Sequence, residues 1–174
     1  SPVPVRLEDS VTGEGWDQGW DTWAVAIDGD RMVVSESDGV DGSTPHVRLY
    51  ERQLDNSWVL RRTWTSPESS YTFGRAIDIS GNVVVIGDTN ANSSQGAAYL
   101  CYTYDGKTWT EPLQMYAADT WAFGTSVAVD IPSGSWEGPG TIVVGERESM
   151  WDDDAKGKVH VYGYQYGYTM HSHT

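Results

Sequence analysis

Apolar and polar positions alternate along this chain in short runs, and the helical spacing of three to four residues is absent. The runs recur in a fixed order. A phrase near Asp21, "DTWAVAIDGD", returns as "YTFGRAIDIS" from Tyr71 and as "WAFGTSVAVD" from Trp121. Each is followed by an apolar run: "RMVVSE", "VVVIGD" or "TIVVGE". A polar loop comes next, then an alternating stretch: "HVRLYER", "AAYLCYTY" or "KVHVYGY". Behind it the first two copies carry "SWVLRRTW" and "TWTEPLQMY". Turn signals separate the runs, "DGD" at Asp28, "SGN" at Ser80, "LDNS" at Leu54 and "YDGK" at Tyr104. Four short strands per period are therefore predicted, with three clear ones and a weak fourth, "YQYGYTM", in the last copy.

Aligning Ala24, Ala76 and Ser126 gives steps of 52 residues (76 − 24) and 50 residues (126 − 76). Four strands in a period of roughly 40–50 residues is the signature of propeller blades. The expected fold is all-β, a propeller-type array of about three four-stranded blades. It forms one domain: an N-terminal strand and loop over 1–20, repeats over 21–70, 71–120 and 121–170, an insertion at 131–140 and a tail at 171–174. A sandwich of hairpins would not require the same four-part phrase three times. Phe73 and Phe123 are expected to plug the gap between neighbouring blades. Gly74 and Gly124 beside them would permit close backbone approach.

The pattern "FGTSVAVD…TIVVGE…GKVHVY", with "FGRAIDISGNVVVIGD…GAAYL" in the second copy, resembles FG-GAP repeats, the blade units of integrin α-subunit heads. The first copy departs from it, with Asp21-Thr22 in place of Phe-Gly and Ser35 in place of the strand-ending glycine. The resemblance implies extracellular or cell-surface recognition, adhesion or assembly, with a periplasm or organelle lumen as alternative compartments. Such blades often carry a calcium loop, Asp-x-Asp/Asn-x-Asp/Asn-Gly-x-x-Asp.

The loop "DTNANSSQG" supplies Asp88, Asn90 and Asn92 at alternate positions, with Ser93 and Gly96 replacing the glycine and the closing acid. Calcium takes about six to eight oxygens, so alternating Asp and Asn on a tight loop suit it. Weaker sets are Glu36, Asp38 and Asp41 in the first copy, and Glu146, Glu148, Asp152 and Asp154 in the third. Among nine tryptophans, Trp58 and Trp109 recur in register and Trp23 lies in the worn motif, so these are assigned to packing. Trp16, Trp20, Trp136 and Trp151 fall in Gly- or Asp-rich loops and are the candidates for a glycan-binding surface.

A net charge of −14 argues against nucleic acid and anionic membranes. No run reaches the roughly 18 apolar residues of a membrane-spanning helix. Cys101 stands alone, which excludes an intrachain disulfide. Neither a nucleophile elbow nor a phosphate loop is present, so no catalytic residue is expected. Two readings compete with protein recognition: a lectin-like glycan binder, and a structural subunit of a larger complex. Three blades are too few to close a ring, since propellers have about four to eight. Self-association, or a place in a larger assembly, is the expected consequence.

Overall fold

A computed structural model describes residues 21–37, 44–115, 117, 120–132, 140–147, 156–165 and 168–173. The N-terminal strand and loop expected over 1–20 and most of the 131–140 insertion lie outside them. The described chain folds as all-β, in three four-stranded antiparallel sheets taken in sequence order. The first holds β1 (Asp21–Asp28), β2 (Arg31–Ser37), β3 (His46–Arg52) and β4 (Trp58–Thr65). The second holds β5 (Phe73–Ser80), β6 (Val83–Asp88), β7 (Ala97–Tyr102) and β8 (Leu113–Met115). The third holds β9 (Ser126–Asp130), β10 (Gly140–Glu146), β11 (Lys158–Gln165) and β12 (Tyr168–His173). One short turn of helix, α1 (Ala91–Ser94), lies between β6 and β7. No helix among the described residues is long and apolar enough to cross a membrane.

The turn chemistry explains the hairpins. β1 meets β2 with Asp28 opposite Arg31, and β5 meets β6 with Ser80 opposite Val83, so each loop has two residues. Gly29 and Gly81 take its first position at φ 57° and 54°. A two-residue hairpin loop of this kind places a glycine first because side chains avoid positive φ there. At the other end of the chain, β12 pairs with β11 across a bulge, from Gln165 opposite Tyr168 to Val161 opposite His173. Residues 171–173, expected in the tail, therefore belong to a strand, because backbone pairing continues where the side-chain alternation had faded.

The sheets stack face to face. Val33, Val47, Leu49 and Trp64 of the first sheet bury against Ile77, Ile79, Val84, Ile86, Tyr99 and Cys101 of the second. The opposite side of the second sheet, with Val83, Val85, Ala98, Leu100 and Met115, buries against Val129, Ile142, Val144 and Tyr162 of the third and against Phe123 just before it. Every residue of β6 is buried as a result. The first strand of each sheet neighbours the first strand of the next: β1 touches β5, and β5 touches β9.

The Phe-Gly pairs sit at these joints. Phe73 and Phe123 are both fully buried. Gly74, at φ 86°, leaves no room for a methyl, since a Cβ would lie 2.8 Å from Ser35 Cβ and Val47 Cγ2. At Gly124, φ 87°, a Cβ would fall 2.2 Å from the Ala97 carbonyl oxygen. Both glycines are required by close approach as well as by backbone conformation.

Candidate functional site

Each sheet carries an acid at or next to the end of its second strand: Glu36, Asp88 or Glu146. All three carboxylates are withdrawn from water, with 3%, 0% and 6% of their surface exposed. Burial of an unpaired charge is costly, so each needs a partner. The residue best placed to supply one is on the third strand, beside the strand-ending acid. Register puts Arg48 opposite Val34, Tyr99 opposite Ile86 and His160 opposite Val144, three equivalent positions. Arg48 Nη1 lies 2.9 Å from Glu36 Oε2, and His160 Nε2 lies 2.8 Å from Glu146 Oε2. Burial pushes the Glu36 carboxyl above its ordinary value, and the Arg48 guanidinium pulls it part of the way back.

The middle copy works differently. Asp88 Oδ1 accepts hydrogen bonds from Ser70 Oγ at 2.5 Å and Thr72 Oγ1 at 2.6 Å, and Oδ2 accepts from Ser66 Oγ at 3.3 Å. Ser66 Oγ also accepts from the backbone N–H groups of Glu68 and Ser70, and Thr72 Oγ1 from that of Asn90. The β4–β5 connector is thereby tied to the end of β6. Tyr99, the facing residue, keeps a buried phenol whose oxygen has no partner among the described residues. Burial, then the Asp88 and Glu68 carboxylates, raises its pKa far above the usual phenol value.

Beyond Asp88 the loop adopts an unusual backbone. Asn92 and Ser93 have φ/ψ of 52°/47° and 56°/44°, and Ser94 follows at φ 72°. Consecutive left-handed residues other than glycine are disfavoured by about 1–2 kcal/mol each. The turn is held from both sides. Asn92 N donates to Glu68 Oε2 at 3.0 Å. With its nitrogen facing Glu68, the Asn92 carboxamide donates to Oε1 at 2.9 Å and accepts from Gln114 Nε2 at 2.7 Å. From the following repeat, Ala122 N donates to Ser94 O and Phe123 N to Gln95 O. A cleft of about 220 Å³ opens beside it, lined by Asn92, Gln95, Gly96, Gln114, Thr120 and Phe123 among others.

The three residues expected to hold calcium are thus each engaged internally: Asp88 by hydroxyls, Asn90 through its backbone, Asn92 by Glu68 and Gln114. Glu36 and Glu146 are occupied by Arg48 and His160. Asp38, Asp41, Glu148, Asp152 and Asp154 lie outside the described residues, as do Trp16, Trp20, Trp136 and Trp151. Among the described residues no three His, Cys, Asp or Glu side chains group to hold a metal. Four of the five described tryptophans make ring contacts within the fold. Arg75 stacks 4.4 Å above Trp23, Arg52 lies 5.8 Å over Trp58, and Trp64 meets Trp109 edge to face at 5.7 Å. The hydroxyl set of Ser66, Ser70 and Thr72 was missed from sequence, although "SPESSYT" directly before the Phe-Gly motif is a dense run of hydroxyls. Comparison with family models, with curated proteins and with solved structures finds no match.

Proposed function

We propose that this chain is a non-catalytic recognition and assembly module of the FG-GAP type, its sheets serving as propeller blades and its loops meeting a protein partner outside the cell or at its surface. The blade reading is supported by the way two successive joints reuse equivalent positions: Gly74 lies against Ser35, and Gly124 against Gly87. The observation that carries the recognition reading is the left-handed loop Asn92–Ser94. Strained backbone that the surroundings over-determine clusters at binding and switch regions. Here a hydroxyl network on one side and the next repeat on the other hold carboxamide groups in a fixed array beside a cleft. A loop positioned by a rigid scaffold suits recognition without rearrangement.

The test is capture from native extract by the immobilised chain, run beside a variant in which residues 89–95 are replaced by a Gly/Ser stretch. A protein held by the natural chain and lost by the variant, at matched folding, supports the reading. A partner retained equally by both overturns the loop's role. Glycan-array binding without any protein captured would favour the lectin-like alternative instead.

A further inference from the structure

Equivalent positions have opposite fates at the two ends of the stack. On the side of the second sheet that meets the first, Ile77, Ile79, Val84 and Ile86 are buried. Their third-sheet equivalents, Val127, Val129, Ile142 and Val144, are buried or partly so against the second. The first-sheet equivalents are Val25, Ile27, Met32 and Val34. Val25 and Ile27 are 64% and 62% exposed, and Met32 and Val34 are partly exposed. The other face mirrors this. Val33, Val47 and Leu49 are buried in the first sheet, and Val85, Ala98 and Leu100 in the second. In the third sheet the same positions are Val143, Val159 and Val161, with Val159 56% exposed and the others partly exposed.

The backbone clasp between sheets is likewise incomplete. Asp28 Oδ2 accepts from Gly81 N at 2.6 Å, joining the first sheet to the second. One repeat on, Ser80 Oγ accepts from Ile131 N at 2.9 Å. The next acceptor in the series is Asp130, exposed at the end of β9, and the donor that would begin it is the exposed Gly29.

We infer that two copies of this chain dock head to tail, the first sheet of one covering the third sheet of the other, with Asp130 of one copy clasping the Gly29 amide of the other. The chain uses this face-to-face joint twice within itself, and each end of the stack carries the half that the other end lacks. Two such junctions between two copies would close six sheets, within the range of about four to eight blades. That closure rests on the propeller reading above; the docking of the two faces does not. The first sheet has Asp21-Thr22 where Phe73-Gly74 and Phe123-Gly124 key the internal joints. The junction between copies is therefore weaker than the internal ones and reversible on dilution. A charge of −14 on each copy opposes it, so added salt strengthens it.

The test is the solution mass of the full chain at micromolar concentration and moderate salt, for the natural protein, Ile27→Lys and Val159→Lys. Both substitutions fall on exposed positions, and melting curves report that the fold is intact. The natural chain should reach twice its 19.2 kDa, and either variant alone should lose the pair. An equal mixture of Gly29→Cys and Asp130→Cys chains should oxidise to a cross-linked pair that neither forms alone, which is the signature of unlike faces meeting. A mass that climbs past two copies with concentration, and is lost in both variants, keeps the docking and refutes the closed ring. A natural chain that stays monomeric, or a Val159→Lys variant that keeps the natural mass, overturns the docking.

Discussion

Replacing Gly124 with alanine tests the stack at a tight joint between the second and third sheets. The perturbation has two parts. Gly124 sits at φ 87°, so any side chain is strained there by about 1–2 kcal/mol. The added Cβ would also lie 2.2 Å from the Ala97 carbonyl oxygen, 3.0 Å from Asp88 N and 3.1 Å from the Ala97 carbonyl carbon. These are backbone atoms of β6 and β7, pinned in a ladder, so the joint itself must open. Overpacking of that kind costs about 1–3 kcal/mol. Gly81→Ala is the control, because Gly81 has φ 54° and nothing within 4 Å of its Cβ position. It carries the conformational penalty without the collision. The difference between the two variants should therefore be about 1–3 kcal/mol. At about 2–4 °C per kcal/mol for a chain of this size, the melting temperatures should differ by a few to about ten degrees. Urea titration followed by tryptophan fluorescence gives the free energies directly. If Gly124→Ala costs no more than Gly81→Ala, the sheets are not in the contact described, and the head-to-tail docking loses its template.

Three further outcomes follow from the middle repeat and the third sheet. Ser93→Gly removes a left-handed serine and should stabilise the fold by about 0.5–1 kcal/mol after the added freedom of the unfolded chain is allowed for; a lower melting temperature would count against the strain. Asp88→Asn weakens hydrogen bonds to a charged acceptor and should cost about 1.5–3 kcal/mol, equally with and without millimolar calcium. A calcium-dependent stabilisation of the natural chain that vanishes in Asp88→Asn would show that the loop takes the metal after all. Burial pushes the Tyr162 phenol up to about 12 from its ordinary 10.0. The folded state then holds a proton that the unfolded state releases, so stability is full below pH 10 and is lost as pH rises from 10 towards 12, by no more than about 1.4 kcal/mol per pH unit. Tyr162→Phe should flatten that part of the alkaline titration, and an unchanged slope would contradict the burial argument.

The strands and their order were legible because two periodicities agree: side chains alternate within each run, and the runs repeat as a set. Glycines at 29 and 81 marked turns, and the register gives each of those turns two residues. The Phe-Gly pairs pointed to the joints because no other residue fits a crowded backbone at positive φ. The site was less legible. Asp88 was picked out by its loop, but the hydroxyls that bind it lie 16, 18 and 22 residues earlier, across the connector from the first sheet. Alternation along "DTNANSSQG" pointed to side chains converging on an ion, but gave no sign of the left-handed turn at Asn92 and Ser93. Only folding brings Glu68 and Gln114 to Asn92.

The three buried acids explain how one repeat came to differ from its neighbours. In the first and third sheets a third-strand side chain, Arg48 or His160, meets the acid, and Glu146 also accepts from the Trp121 N–H of the preceding connector at 3.1 Å. Tyr99 takes that place in the second sheet and makes no hydrogen bond to the acid, and its own phenol has no partner among the described residues. The carboxylate of Asp88 must then be compensated from elsewhere, since a buried charge without partners would cost several kcal/mol. The connector supplies the compensation through Ser66, Ser70 and Thr72. Recruiting those hydroxyls fixes the segment that carries Glu68, and Glu68 in turn holds the Asn92 backbone and carboxamide. The candidate recognition loop is thus tied, through Glu68 and the connector hydroxyls, to the buried acid that ends β6.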